Sequence, residues 1–235
     1  MDVKGLAVDT VRHYLAILKK VCRIAYKEGY AERCHFANFT LPQKTERTPR
    51  ALSREDFEKI RDVEIPAWRT THILVRDLFL FACYTGTAYA DAVSVTRDNL
   101  YTDDEGCLWL KYRRQKNELR ASVKLLPEAL ALIEKYHDNS RPTLFPMIYH
   151  PNLRRHMKSL AVLAGVSSSL CYHQARHSFA SLITLEAGVP IETISRMLGH
   201  SDIQTTQVYA RVTPKKLFED MDRYIEATKD LKLIL

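Results

Sequence analysis

Residues 172–212 read YHQARHSFASLITLEAGVPIETISRMLGHSDIQTTQVYARV, and three short groups inside that run carry chemistry. His173 and Arg176 stand three positions apart, so on a helix they share one face. The rigid fork of arginine matches two oxygens of a single phosphate, while a histidine donates to a third. Leu198-Gly199-His200-Ser201-Asp202 reads as a helix–glycine–helix junction. Gly199 takes the left-handed backbone that ends one helix, Ser201 or Asp202 caps the next, and a second histidine is presented between them. Tyr209 follows nine residues after His200. A phenol with a pKa of about 10 is a poor nucleophile until cationic donors surround it. Arg176 and the two histidines are donors of that kind. Each group alone arises easily by chance; their order and spacing carry the weight.

Working outward, residues 107–126, CLWLKYRRQKNELRASVKLL, alternate polar and apolar. Leu108, Leu110 and Tyr112 fall on one face, Val123 and Leu125 on the returning strand, with a polar turn near Asn117-Glu118, and Pro127 ends the run. Elsewhere the periodicity is helical: residues 67–84 and 89–95, broken at Thr85-Gly86, then 128–137, 151–164, 173–187, 190–198, 202–210 and 214–228. A further helix restarts at Ser53, capped with Asp56 three residues on and stapled by Leu52 and Phe57. The expected fold is mainly α with one small antiparallel hairpin or three-stranded sheet. Leu217, Phe218, Met221, Tyr224 and Ile225 form an apolar stripe on the last helix, which fits packing on its own domain or docking on a neighbour.

Upstream, Asp9 or Thr10 is placed to cap a helix whose apolar stripe is Val11, Leu15, Leu18, Cys22 and Ala25, with Gly29 at its stop. Arg12, Lys19, Lys20, Arg23 and Lys27 fall mostly off that stripe, as a DNA-facing row or a solvated face. Residues 40–50, TLPQKTERTPR, lack periodicity and read as an extended polar tether. The segment before the tether is about 40 residues, near the lower limit for independent folding, which suits the tail end of a larger domain. The net charge of +7 and a pI near 9.1 favour an acidic partner, nucleic acid being the commonest. Five scattered cysteines with no CxxC pair argue against a disulfide framework or a thiolate zinc site and suit a reducing cytoplasm. No apolar run is long enough for a bilayer, so the chain reads as soluble and intracellular.

The run 172–212, with HxxR, then LGH, then tyrosine, resembles the C-terminal signature of the tyrosine recombinase (phage integrase) family. The likeness reaches back through the hairpin and Thr85-Gly86 to about residue 50. The resemblance implies a catalytic domain over 51–235 and a linker over 41–50. Residues 1–40 would then be the C-terminal part of a helical, SAM-like core-binding domain whose earlier helices are missing. It also implies an enzyme that breaks and rejoins double-stranded DNA through a 3′-phosphotyrosine at Tyr209. In that scheme Arg176 clamps the phosphate, His173 bonds it and assists proton transfer, and His200 is a further donor. Lys116 matches the family's strand lysine, the general acid for the 5′-oxygen. Phosphoryl transfer runs on positioning and charge neutralisation, so no cofactor, metal or ATP is expected. The partners implied are DNA, a homotetramer on that DNA and an accessory DNA-bending protein, with no membrane and a cytoplasmic, nucleoid-associated location. Lys19, Lys20, Arg23, Lys44 and Arg47 are the candidate DNA contacts of the N-terminal segment and tether.

One position departs from the family. Its first arginine follows the Thr-Gly pair as TGxR, and here Ala88 stands in that place, with Asp91 at the family's acidic position. The chain resembles a subgroup of mobile-element integrases lacking that arginine. Arg114, two residues from Lys116 and so on the same strand face, is the candidate replacement; Arg97, Arg113 and Arg120 are its rivals. A non-catalytic DNA-binding relative and a type IB topoisomerase-like enzyme are the alternative readings.

Overall fold

The computed structural model describes residues 5–43, 51–166, 170–208 and 214–229. The chain divides into two units, Met1–Thr48 and Pro49–Leu235.

The first unit is built on one helix, α1 (Val8–Lys27). Its N-cap is Ala7, without a side-chain cap bond, rather than Asp9 or Thr10: the Thr10 and Val11 amides both reach the Ala7 carbonyl, so the helix starts before either polar residue. Gly29 takes φ of +79° just beyond the helix, where a stop was expected. No residue of α1 is buried, so the apolar stripe is only partly covered within its own unit. Tyr14, Ile17, Leu18, Val21 and Ile24 are exposed.

In the second unit, Ser53 accepts the Asp56 amide at 3.0 Å and starts α2 (Arg54–Asp62), and Leu52 and Phe57 are both buried beside that cap. The helix α3 (Thr70–Thr85) follows. It begins later than its apolar pattern because a turn closes first, with the Arg69 amide bonded to the Pro66 carbonyl. Its whole second half is buried, from Leu78 through Thr85. It is the central rod, packed against the helices over Pro127–Lys135, His150–Leu163 and Tyr172–Ser178. The short helix α4 (Tyr89–Ser94) leads into the sheet.

The sheet is three-stranded and antiparallel, in the order β1 (Leu100–Thr102), β2 (Leu108–Arg113), β3 (Arg120–Lys124). Its register pairs Leu110 with Val123, Tyr112 with Ala121 and Arg113 with Arg120. Strand alternation then buries Leu110, Tyr112, Ala121 and Val123 on one face and exposes Lys111 and Arg113 on the other. The turn spans 114–119, closed by the Arg114 amide on the Leu119 carbonyl at 2.9 Å, with Glu118 left-handed at φ 57°. Pro127 sits at the first turn of α5 (Pro127–Lys135), where its missing N–H costs nothing. Helices α6 (His150–Leu163) and α7 (Tyr172–Ser178) complete the layer around α3.

Beyond Ser178 the expected single helix over 173–187 changes hand-hold. Residues Phe179–Leu185 are π-helical, and the Thr184 hydroxyl donates to the carbonyls of both Phe179 and Ala180. A hydroxyl that occupies backbone carbonyls loosens the ordinary ladder. The chain ends with α8 (Ile191–Leu198), α9 (Gln204–Gln207) and α10 (Pro214–Thr228); within the described residues α9 is shorter than the pattern over 202–210 suggested. No helix among the described residues is long and apolar enough to cross a membrane.

Candidate active site

Arg176 is the pivot of the site. It is a fully buried arginine at 1% exposure, projecting from α7. Its Nη1 donates to the Gly86 carbonyl and its Nη2 to the Leu198 carbonyl, both at 2.6 Å. One side chain thereby ties the Thr85-Gly86 turn to the Leu198-Gly199-His200 turn. Both turns need glycine. Gly86 and Gly199 take φ of +70° and +60°, a region other residues rarely enter. A Cβ on Gly86 would stand 2.6 Å from Leu198 and Phe179 side-chain carbons, and one on Gly199 would stand 2.9 Å from the Arg114 Cδ.

Arg114 arrives from the opposite direction, at the end of β2. It is also buried, at 8% exposure, and its Nη1 donates to the Gly199 carbonyl at 3.1 Å. Its Nε lies 3.7 Å from Asp91 Oδ2, while Asp91 Oδ1 accepts the Gln115 amide at 3.0 Å. Asp91 therefore anchors the strand end from α4, the helix whose N-cap is Ala88. The rivals of Arg114 lie elsewhere. Arg113 points to the exposed face of β2 and Arg120 is exposed on β3, while Arg97 is occupied by Asn139 and the Asp138 carbonyl.

The histidines complete the cluster. His173 is exposed at the start of α7; burial of its ring edge, then Arg176, Arg114 and Lys116, hold its pKa below the ordinary value. His200 follows Gly199, and its Nδ1 pairs with the Thr206 hydroxyl at 2.7 Å. Burial, followed by Arg176 and Arg114, pulls His200 down to about 4, so at neutral pH it is an uncharged ring. Lys116 is exposed on the 114–119 turn, close enough for its charge to act on His173. Arg176 and His173 from α7, Arg114 and Lys116 from the hairpin, and His200 after α8 thus gather from three separate stretches of chain. Tyr209, Lys44 and Arg47 lie outside the described residues.

Of the basic row on α1, Lys19 donates to the Phe39 carbonyl at 2.7 Å within its own unit, and Arg12 likewise bonds the Pro42 carbonyl; Lys20 and Arg23 are exposed. Three neighbours of the site escaped the sequence reading: Thr206, which holds His200; His177, whose ring lies 4.4 Å from that of His173; and Tyr112. A threonine one short helix beyond a histidine is too common a pattern to single out. The Asp103, Glu105 and Cys107 side chains come together on the β1–β2 turn, at the far end of β2 from Arg114. There Asp103 is already taken by the Glu105 and Cys107 amides and the Trp109 indole, which accounts for that cluster without a metal.

A helical domain that buries two guanidiniums beside histidines and a lysine-bearing hairpin is built to hold an anion such as a phosphodiester. A model described as the phage integrase family matches residues 50–216. The chain belongs to that family, the tyrosine recombinases, enzymes that break and rejoin DNA. Among named relatives, tyrosine recombinase XerD of Listeria monocytogenes serotype 4b (strain F2365) is 25% identical over 232 residues, covering 91% of this chain and 75% of the relative. XerD of Brucella melitensis biotype 1 is 26% identical over 240 residues, covering 92% and 76%. Among solved structures, XerH site-specific recombinase bound to a palindromic difH substrate in a post-cleavage complex gives a TM-score of 0.71 at 20% identity, covering 95% of this chain and 69% of that one. A lambda integrase dimer on a COC′ core site gives 0.68 at 17%, covering 88% and 75%. The likeness to these structures is one of fold.

Proposed function

We propose that this chain recombines double-stranded DNA at specific sites by transient attachment of the DNA to Tyr209. The Tyr209 oxygen attacks the scissile phosphate, the P–O bond to the 5′-oxygen breaks, and Lys116 supplies the proton to that leaving oxygen. The 3′-phosphotyrosine keeps the energy of the broken bond, so rejoining by an incoming 5′-hydroxyl needs no ATP. Arg176 and Arg114 neutralise the non-bridging oxygens, His173 bonds the phosphate and takes the tyrosine proton, and His200 donates as a neutral ring. The paired guanidiniums carry this reading: both reach the turn that presents His200, and Arg114 is the cation proposed to stand in for the arginine that Ala88 replaces.

The supporting assembly follows the same logic. Residues 1–40 act as part of a core-binding domain, with exposed Lys20 and Arg23, and with Lys44 and Arg47 of the tether, on the DNA backbone. The stripe of Phe218, Met221, Tyr224 and Ile225 on α10 is exposed, which favours docking on a neighbouring protomer of a DNA-bound tetramer over packing within its own chain. An accessory DNA-bending protein fits recombination at defined sites.

A duplex carrying a nick next to the cleavage site, which traps the covalent state, tests the proposal. Wild type should give a denaturant-resistant protein–DNA adduct and Tyr209→Phe none. Strand exchange between two sites, rather than relaxation of supercoils, separates a recombinase from a topoisomerase. Ala88 keeps one other reading in play, a DNA-binding relative without chemistry, and tight site binding with no adduct would select it.

A further inference from the structure

The buried face of β2 does not end where the apolar core ends. Leu110, Tyr112 and Arg114 follow one another on that face, passing from core into the arginine cluster. Among the described residues, two buried donors there, Tyr112 Oη and Arg114 Nε, meet no acceptor within hydrogen-bond distance; Arg176 lies close enough to donate to the phenolic oxygen, which leaves the phenolic proton unmatched. The charged groups that act on the Tyr112 hydroxyl are Arg176, Asp91 and Arg114. Both arginines can only donate. Asp91 gives one oxygen to the Gln115 amide and turns the other toward Arg114. Among the described residues the phenolic proton is left without an acceptor.

An unsatisfied buried hydroxyl lowers stability, and native proteins keep few of them. A phenylalanine would fill the same volume in this strand without that cost. Burial pushes Tyr112 up to about 12, so the hydroxyl holds its proton and stays a donor at any working pH. Adjacent donors that the Asp91 carboxylate faces from beyond hydrogen-bond distance describe a pocket that a closer anion completes.

We propose that Tyr112 is a further catalytic residue, whose hydroxyl donates, beside Arg114 Nε, to a non-bridging oxygen of the scissile phosphate. This rests on the reading of Arg176 and Arg114 as the phosphate clamp. Both atoms are covered in the free chain, as Arg176 is, so the phosphate reaches them by displacing the 114–119 turn, whose residues 115–118 are exposed.

Single-turnover cleavage of the nicked duplex, with thermal melting of the DNA-free chain, tests this. Tyr112→Phe should slow adduct formation about 10- to 100-fold, the worth of a hydrogen bond to a charged group, with DNA affinity unchanged and melting temperature equal or higher. A methylphosphonate at the scissile position removes one oxygen in each diastereomer. In the diastereomer lacking the contacted oxygen, Tyr112→Phe and wild type should react equally. Wild-type rates for Tyr112→Phe, the same penalty in both diastereomers, or a fall in melting temperature would each overturn the proposal. In the first case a large loss in Arg114→Ala would leave the clamp reading intact. No adduct from wild type would overturn that reading and this inference together.

Discussion

Arg114 and Arg176 donate to consecutive carbonyls, Gly199 at 3.1 Å and Leu198 at 2.6 Å. Those carbonyls close α8, where the last C=O groups of a helix lack partners and the helix dipole is negative. Two guanidiniums that would repel each other are thus seated on one helix end, with Asp91 as the carboxylate facing Arg114. The arrangement holds fixed cations side by side before any substrate arrives. Preorganised charge of this kind needs no rearrangement when negative charge develops on a phosphate.

Arg114→Ala is therefore expected to lower cleavage of the nicked duplex by about 10³- to 10⁵-fold, the range for losing an arginine that meets transition-state charge. Arg113→Ala, one residue away on the exposed face of β2, should stay within a few-fold of wild type. Arg114→Lys keeps the charge and loses the fork, so it should recover only part of the rate. Equal rates for the two alanine variants would reject Arg114 as the replacement cation.

Gly86→Ala should cost more stability than Gly199→Ala. Both force a side chain into the left-handed region, at about 1–2 kcal/mol. At Gly86 the new methyl also meets Leu198 and Phe179 carbons of the core at 2.6 Å, and overpacking adds about 1–3 kcal/mol. At Gly199 the nearest atoms are the Arg114 Cδ at 2.9 Å and the Arg120 carbonyl oxygen at 3.2 Å, so the shifts required are smaller than at Gly86. Denaturant midpoints would order the two, and Gly199→Ala should lose cleavage out of proportion to its stability because Arg114 is what it displaces.

His177 and His200 are both held near pH 4 against an ordinary 6.5, by burial first, then by His173 and Arg176 for the one and by Arg176 and Arg114 for the other. A folded-state value below the unfolded one means that the unfolded chain binds more protons across that interval. Stability from these groups is complete above about pH 6.5 and drains away as pH falls toward 4. Urea midpoints should decline over that window, and His200→Gln or His177→Gln should flatten the decline. A slope unchanged in both variants would place the acid sensitivity in other groups.

Much of this was legible in the chain, for identifiable reasons. The strands announced themselves through alternation at Leu108, Leu110 and Tyr112, and the two site turns through Gly86 and Gly199, because left-handed backbone selects glycine. Choosing among Arg113, Arg114 and Arg120 needed the register. Only the pairing of Tyr112 with Ala121, and the Gly199 turn lying against Ala121 and Arg114, decides which arginine turns inward. The π-helical stretch after Ser178 was hidden because it depends on where one threonine hydroxyl bonds, which periodicity does not record. Asp9 and Thr10 are good capping residues, yet neither caps α1, because the helix has already begun at Val8.

The apolar stripe of α10 offers a prediction separable from the chemistry. Phe218 is 68% exposed and Met221 47%, so neither contributes much to the fold of a lone chain. Phe218→Ser with Met221→Ser should move the melting temperature little, since exposed positions usually fall within about 0.5 kcal/mol. If the stripe seats on a second protomer, burying it there stabilises the assembly by about 25 cal/mol for each Å² of apolar surface removed from water. The double variant should then bind single sites normally but fail to form higher-order complexes in native gels, and strand exchange should fall while adduct formation on an isolated site persists. A marked loss of melting temperature would instead mean that the stripe packs on its own chain; complexes formed at wild-type levels would remove it from the assembly altogether.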